Sequence, residues 1–466
     1  MAKRIAVVLG IAVIAGVVLS YVLWNGPGGD ETAPKRPDRR NLTKLLEKSA
    51  APPAGKEQEK VPPDLLDRAT RAATRPAPAA ATQPNYIKSS DVPEDNGMHW
   101  FLLAAELMPE FDWELGERED NMFEFGWQDD SRISDQIEKY REAFDAVRKG
   151  LEVGNAMLPL EPEKSVPGAG GEWRELTQLM TLDAMREASR GNVDAALEIY
   201  DVLLNFSAES CRGGVFVYHL VAGALQRSGA EQLCKTLQAP GVSAEQCRRT
   251  MERLAALDAR APTLADAMAV EAATTEYWFN KNVNPDRIRD VMRSAAKDWD
   301  EAGKQFVENA STSDLVELSR QCVEVLKQAV PLFEAEVYEF DYAAYQKLID
   351  SNRLSKNMGD PKNMGDPQRR FLGYSLTRAQ RRGTMLVAAI EGYRRDKGTY
   401  PASLDAVATA LSVELPKDPF TGAPFGYVQQ GAGYLLYSAG INMLDDGGKG
   451  KPWDPKQDDY VIVRRE

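Results

Sequence analysis

Residues 5–24 form an unbroken run without a charged side chain, and this run limits where the rest of the chain can be. At 1.5 Å of rise per residue, about 20 apolar residues span the roughly 30 Å hydrocarbon layer of a bilayer. Lys3 and Arg4 precede the run, and Asp30 and Glu31 follow it. The positive-inside rule then puts the N-terminus in the cytoplasm and the bulk of the chain across the inner membrane, in the periplasm. Tyr21 and Trp24 suit the far interface. A cleaved signal peptide is the rival reading, but its apolar region is usually about 7 to 15 residues long and ends in a small-residue cleavage pattern. Residues 21–24 lack that pattern, so the run is expected to stay as a signal anchor. Ala12, Gly16 and Ser20 stand four apart on one helix face, a spacing that permits close packing of two copies in a homodimer.

Residues 25–93 are rich in proline, alanine and charge, with too little periodic apolar surface to build a core. They are expected to be a disordered tether with a mean reach on the order of 45 Å. With 466 residues and a net charge of -13, the chain has room for more than one domain and lacks the basic face that nucleic acid requires. Its two histidines, His99 and His219, leave little material for zinc sites or imidazole acid-base chemistry. Cys211, Cys234, Cys247 and Cys322 have no CxxC spacing; buried thiols and a Cys234 to Cys247 disulfide are both open.

From 94 to 355 the apolar spacing turns helical. Trp173, Leu176, Met180 and Ala184 make one stripe; Val193, Ala196, Leu197, Tyr200 and Leu204 make the next. The Gly191-Asn192 turn between them predicts an antiparallel hairpin. Ser243 and Gln246 predict a capping box, opening a helix whose inward face carries Met251, Leu254 and Leu257. Further helices are expected over 134–153, 212–237, 263–280, 285–309, 313–330 and 332–351. Residues 191–204 resemble the second helix of a tetratricopeptide repeat, which implies an irregular helical-hairpin scaffold of the kind that binds other proteins.

A perfect tandem hexapeptide, 356–361 repeated as 362–367, fills the stretch 356–370. Its glycine, aspartate and proline predict a hinge. Beyond it, 371–466 is expected to form a small α+β domain: a helix over 376–393, a shorter one over 403–411, and strands over 425–428, 434–438 and 460–464. Along the first helix Ala379, Met385, Leu386, Ala389, Ile390 and Tyr393 fall on one side, so Arg378, Arg381, Arg382, Arg394 and Arg395 are expected to face solvent.

Four ordered blocks in this region carry a resemblance: YRRDKGTYP (393–401), DPFTGAPFGY (418–427), GYLLYSAG (433–440) and the closing acidic segment 445–461. They resemble the globular domain of the major pseudopilin of type II secretion systems. The resemblance implies a helix lying on a small antiparallel sheet, with a calcium ion pinning the last loop. Asp445, Asp446, Asp454, Asp458 and Asp459 crowd that loop, and hard oxygen ligands in a flexible loop suit calcium. The candidate ligands are Asn442, Asp445, Asp446, Asp458 and Asp459, with Asn442 standing where the family carries an aspartate. A solvated acidic turn relieved by Lys449, Lys451 and Lys456 is the alternative. The anchor, tether, helical hairpins and terminal domain together resemble membrane-anchored proteins of the planctomycete type.

Nucleophile elbows, Walker loops, zincin helices and dinucleotide glycine motifs are all missing, so catalytic and cofactor-binding residues are not assigned and a non-enzymatic role is expected. The expectation is a membrane-anchored extracytoplasmic scaffold that recruits envelope or secretion-system proteins. The alternative is a carbohydrate-active hydrolase using paired carboxylates. Its densest candidate patch, 112–130, interleaves Asp112, Glu114, Glu117, Glu119, Asp120, Glu124, Asp129 and Asp130 with Trp113, Phe123, Phe125 and Trp127.

Overall fold

The chain was analysed as a computed structural model that describes residues 86–108, 121–124, 126–161, 164, 171–282, 288–295, 301–350, 367–449 and 459–465. The apolar run at 5–24, nearly all of the tether, the hexapeptide hinge up to 366, Asp454 and Asp458 lie outside these residues. Among the described residues, no helix is long and apolar enough to cross a membrane.

Helices dominate, in the order α1 (Gly97–Glu106), α2 (Ser131–Lys139), α3 (Arg141–Val153), α4 (Glu172–Ser189), α5 (Val193–Glu209), α6 (Phe216–Leu237), α7 (Ala244–Arg260), α8 (Leu264–Asn282), α9 (Ile288–Ala295), α10 (Glu301–Asn309), α11 (Thr312–Ala329) and α12 (Tyr342–Asp350). The terminal region adds α13 (Pro367–Lys397), α14 (Leu404–Leu411) and strands β1 (Gly426–Gln430), β2 (Gly433–Ser438) and β3 (Tyr460–Arg465).

The expected hairpin is α4 packed on α5. Gly191 takes a positive φ of 82° just past α4, a conformation a Cβ would disfavour, and the amide of Asn192 closes back on the Glu187 carbonyl at 2.9 Å. Both apolar stripes are buried except at Val193, which is part-exposed at the start of α5, and the Trp173 indole donates to the Phe101 carbonyl at 3.1 Å, tying α4 to α1. The capping box of α7 is present in both directions: the Gln246 amide donates to Ser243 Oγ, and the Ser243 amide to Gln246 Oε1. Cys247, Met251, Leu254 and Leu257 line its buried face.

Two expected helices are broken by identifiable chemistry. The stretch expected over 134–153 divides at Tyr140, a fully buried residue with φ -94° and ψ 5° that ends α2 and opens α3. The stretch expected over 332–351 becomes two 3-10 turns, Val330–Glu334 and Val337–Glu339, before α12. Ala335 between the two turns is extended, and Pro331 lacks the N–H that an α-helix there would use.

In the terminal region β1, β2 and β3 form one antiparallel sheet in that order, with β2 buried along its whole length and β1 partly exposed. The helix beside it is longer than its apolar pattern suggests. Pro367, the last residue of the tandem hexapeptide, is the first residue of α13, where a missing N–H costs nothing. One side of α13 packs along α6 and α7; the other meets the sheet, with Gly383 bringing the helix backbone against Ile462 of β3. The described residues accordingly all fall in one compact unit, the helix serving both the hairpins and the sheet. This overturns the expectation that the arginines of α13 face solvent: Arg381 is buried, Arg378, Arg382, Arg394 and Arg395 are part-buried, and all five pair with carboxylates.

Candidate functional site

The feature that most needs a physical account is a charged seam between α13 and the helices beneath it. Arg378, Arg381 and Arg382 occupy one turn of α13, at the i, i+3, i+4 spacing that aims side chains to one face. Asp258, near the end of α7, accepts Arg381 Nε at 2.7 Å and Arg382 Nε at 3.0 Å. Glu336, between the two 3-10 turns, lies 2.8 Å from Arg378 Nη1 and accepts Arg382 Nη2 at 2.9 Å. Burial pushes the Asp258 carboxyl up, but the guanidiniums of Arg381, Arg378 and Arg382 together override it and hold the group below the ordinary carboxylate range. Arg378 Nε and Glu336 Oε2 are buried without a hydrogen-bond partner.

Against this seam lies a cavity of ≈ 30 Å³, lined by His219 and Gln226 of α6, Tyr374, Thr377 and Arg381 of α13, and Cys211. His219 is 7 % exposed, and burial pushes its imidazole down to about 4, so it is neutral at pH 7. Gln226 bridges the elements through long contacts, 3.4 Å to the Thr377 carbonyl and 3.4 Å from Arg381 Nη1. A second cavity, of ≈ 10 Å³, lies between α7 and α13. Neither has room for a sugar ring, since small-molecule sites usually occupy about 300 Å³ or more.

A second charged lock sits further along α13. Glu391 is fully buried and receives Arg394, Arg395, Arg465 and the Tyr400 hydroxyl. Arg395 also closes the carbonyls left open between α6 and α7, at Leu237 (2.6 Å), Ala239 (2.8 Å) and Val242.

The acidic loop proposed to hold calcium is knitted largely by its own backbone. Buried Asp459 accepts the amides of Asp446 (3.2 Å), Gly448 (2.7 Å) and Lys449 (3.3 Å), while burial still pushes its carboxyl up. Asp445 Oδ1 accepts the Tyr437 hydroxyl and the Gly447 amide, and Asn442 donates its amide to Asp446 Oδ2. Asp445 Oδ2 and Asp446 Oδ1 have no donor among the described residues, and Asp458 lies outside them. Among the described residues, no group of three acidic, histidine or cysteine side chains converges as a metal shell. The described part of the loop therefore leaves two carboxylate oxygens without a donor among the described residues, fewer than the six to eight oxygens calcium takes.

The remaining sequence candidates have structural partners. Cys211, Cys234 and Cys247 are free, buried thiols, Cys234 donating to Thr384 Oγ1 on α13. His99 Nδ1 meets the carbonyls of Ser89 and Val92. Within the acidic-aromatic patch, residues 109–120 and Phe125 lie outside the described residues. In its described part Asp130 caps α2, the Trp127 indole donates to Asp129, and the Phe123 carbonyl accepts Gln232 and Lys235 of α6.

Asp258, His219, Gln226 and Arg381 were not picked out as site residues from the sequence. A signal existed: His219 and Gln226 are polar, seven apart and on one face of an otherwise apolar stretch of α6. Compared with known proteins, the chain matches no family model, no curated protein and no solved structure.

Proposed function

We propose that the protein is a membrane-anchored extracytoplasmic scaffold whose body presents helical hairpins and a small sheet to protein partners of the envelope, in association with a type II secretion or pilus-like system. The observation that carries this reading is the uncharged run at 5–24, flanked by Lys3 and Arg4 before and Asp30 and Glu31 after, and followed by a proline-rich tether. The interlocked body supports it. Because α13 is held by α6 and α7 on one side and by the sheet on the other, the α4–α5 hairpin and the exposed strand β1 keep a fixed relation. Stacked hairpins with a rigid frame are the usual form of helical binding surfaces. Calcium at Asn442, Asp445, Asp446, Asp458 and Asp459 belongs to the same proposal, supported by the two donor-free oxygens of Asp445 and Asp446.

The test is in-cell cross-linking of the full chain, followed by identification of the linked peptides. Cross-links from α4, α5 or β1 to envelope or secretion proteins support the scaffold. Links confined to cytoplasmic proteins contradict it.

A further inference from the structure

The charges at the seam do not balance at contact distance. Arg378, Arg381 and Arg382 share two carboxylates, Asp258 and Glu336. Asp418, the next acid to feel Arg382, turns its oxygens to the Phe420 and Ala439 amides and the Ser438 hydroxyl. On the His219 side, Asp266 accepts the Thr263 amide and hydroxyl, and Arg212 is held by Glu209 and the Arg260 carbonyl. One guanidinium of the seam is left without a carboxylate of its own, in surroundings where an uncompensated charge is costly.

The cavity beside it is lined by polar tips that have no protein partner among the described residues and face its opening. Arg381 is 4 % exposed, and its Nη2 makes no hydrogen bond among the described residues. Among the described residues, His219, also more than nine-tenths buried, makes none with either ring nitrogen, and the Tyr374 hydroxyl makes none. The Gln226 amide reaches its acceptor only at 3.4 Å. The donors there are guanidinium N–H, phenol O–H, carboxamide N–H and one imidazole N–H, beside the acceptors of the second imidazole nitrogen and the Tyr374 and Thr377 hydroxyl oxygens, and only the guanidinium carries a charge. A cation would meet Arg381, and neutral water would leave the excess charge uncompensated. The ≈ 30 Å³ volume exceeds the 10 to 15 Å³ or so that one water needs, yet is too small for sulfate or phosphate with a hydration shell.

The geometry points to this cavity as a binding site for a small monovalent anion of chloride size, held by Arg381, His219 and Tyr374 beneath α13. The anion completes the charge of the seam and so fastens the terminal helix to α6 and α7.

The test uses the detergent-solubilised full chain at pH 7 and fixed ionic strength, with chloride replaced by gluconate, which is too large for the cavity. Melting temperature is expected to be a few degrees higher in chloride and to saturate with chloride concentration. Ala222 lines the cavity and belongs to none of the seam's ion pairs, so Ala222→Leu is expected to occupy the space and remove that difference. Crystals of the unsubstituted protein grown with bromide are expected to show an anomalous peak between Arg381 and His219, a readout that does not depend on the variant folding. Equal melting in both salts, a chloride effect that survives in Ala222→Leu, or a cavity without a bromide peak would each overturn the proposal.

Discussion

Arg381 Nε lies 2.7 Å from Asp258 Oδ1, although the two residues are 123 positions apart in sequence. That pair joins the last turn of α7 to the middle of α13, and Arg382 and Arg378 add further charge to the same carboxylate. It ties the first helix of the terminal α+β region to the helical body.

Asp258→Ala removes the carboxylate while leaving three guanidiniums beneath α13. Losing one partner of a buried ion pair costs about 3–5 kcal/mol. The expected outcome in urea unfolding is a loss of that size at pH 7, measured on the full chain. The Asp258 carboxyl is held below its ordinary value, so its contribution is complete above the unfolded carboxylate range. It is lost as pH falls through the depressed folded value. A loss under 0.5 kcal/mol or so, the scale of an ordinary surface substitution, would show that the seam does not hold the helix.

His219 gives a separate pH signature. Its folded value near 4 against an ordinary 6.5 means that the unfolded chain binds a proton across that interval and the folded chain does not. Stability therefore rises with pH from about 4 to 6.5, by roughly 3 kcal/mol from this residue. His219→Gln is expected to flatten that rise, as read from urea midpoints at a series of pH values in gluconate, where no chloride sits beside the imidazole to favour its protonated form. Equal slopes in both proteins would mean that the imidazole is solvated.

Gly383 marks the place where α13 meets the sheet. A Cβ there would lie 2.7 Å from Cδ1 and Cγ1 of Ile462. Gly383→Ala should therefore destabilise by about 1–3 kcal/mol, against the gain of up to about 1 kcal/mol that alanine brings to an open helix. Adding Ile462→Val, which deletes Cδ1, should recover part of the loss. Stabilisation by Gly383→Ala alone would place the sheet further from the helix.

Calcium is tested by melting the full chain after chelation and again with calcium restored. An ion bound only by the folded state adds about 2.7 kcal/mol at a hundredfold excess over its dissociation constant. The expected result is a rise in melting temperature that Asp446→Asn abolishes. An unchanged melting temperature removes the ion and leaves a loop held by Asp459 and the backbone amides it accepts.

Much of the helical architecture was legible because its signals are local. Gly191 after a periodic stripe and Ser243 with Gln246 specify a turn and a cap within a few residues, and both are present. The strands were legible for the same reason, as short apolar and aromatic runs, and β1 and β2 pair antiparallel up to Gln430 and Gly433. The seam was not. An arginine on a helix reads as solvated unless its partner is known, and Asp258 carries no local mark of facing α13. The apolar stripe of α13 also understated its burial, because the helix is covered from two sides and even Thr384 and Glu391 are fully enclosed. Tyr140 shows the converse: a residue inside an amphipathic pattern ended a helix, with its hydroxyl donating to Glu175 of α4.

The claim that the body stands outside the cytoplasm on an N-terminal anchor has a direct test. Protease is added to intact spheroplasts carrying the full chain, and the membrane and soluble fractions are probed for the region 86–466. The expected result is loss of full-length protein from the membrane, with cleavage inside 25–93 and release of a resistant body in which the terminal sheet stays associated with the helices. Full-length protein that survives in intact spheroplasts, yet is digested once they are lysed, would place the body in the cytoplasm and contradict the proposed role.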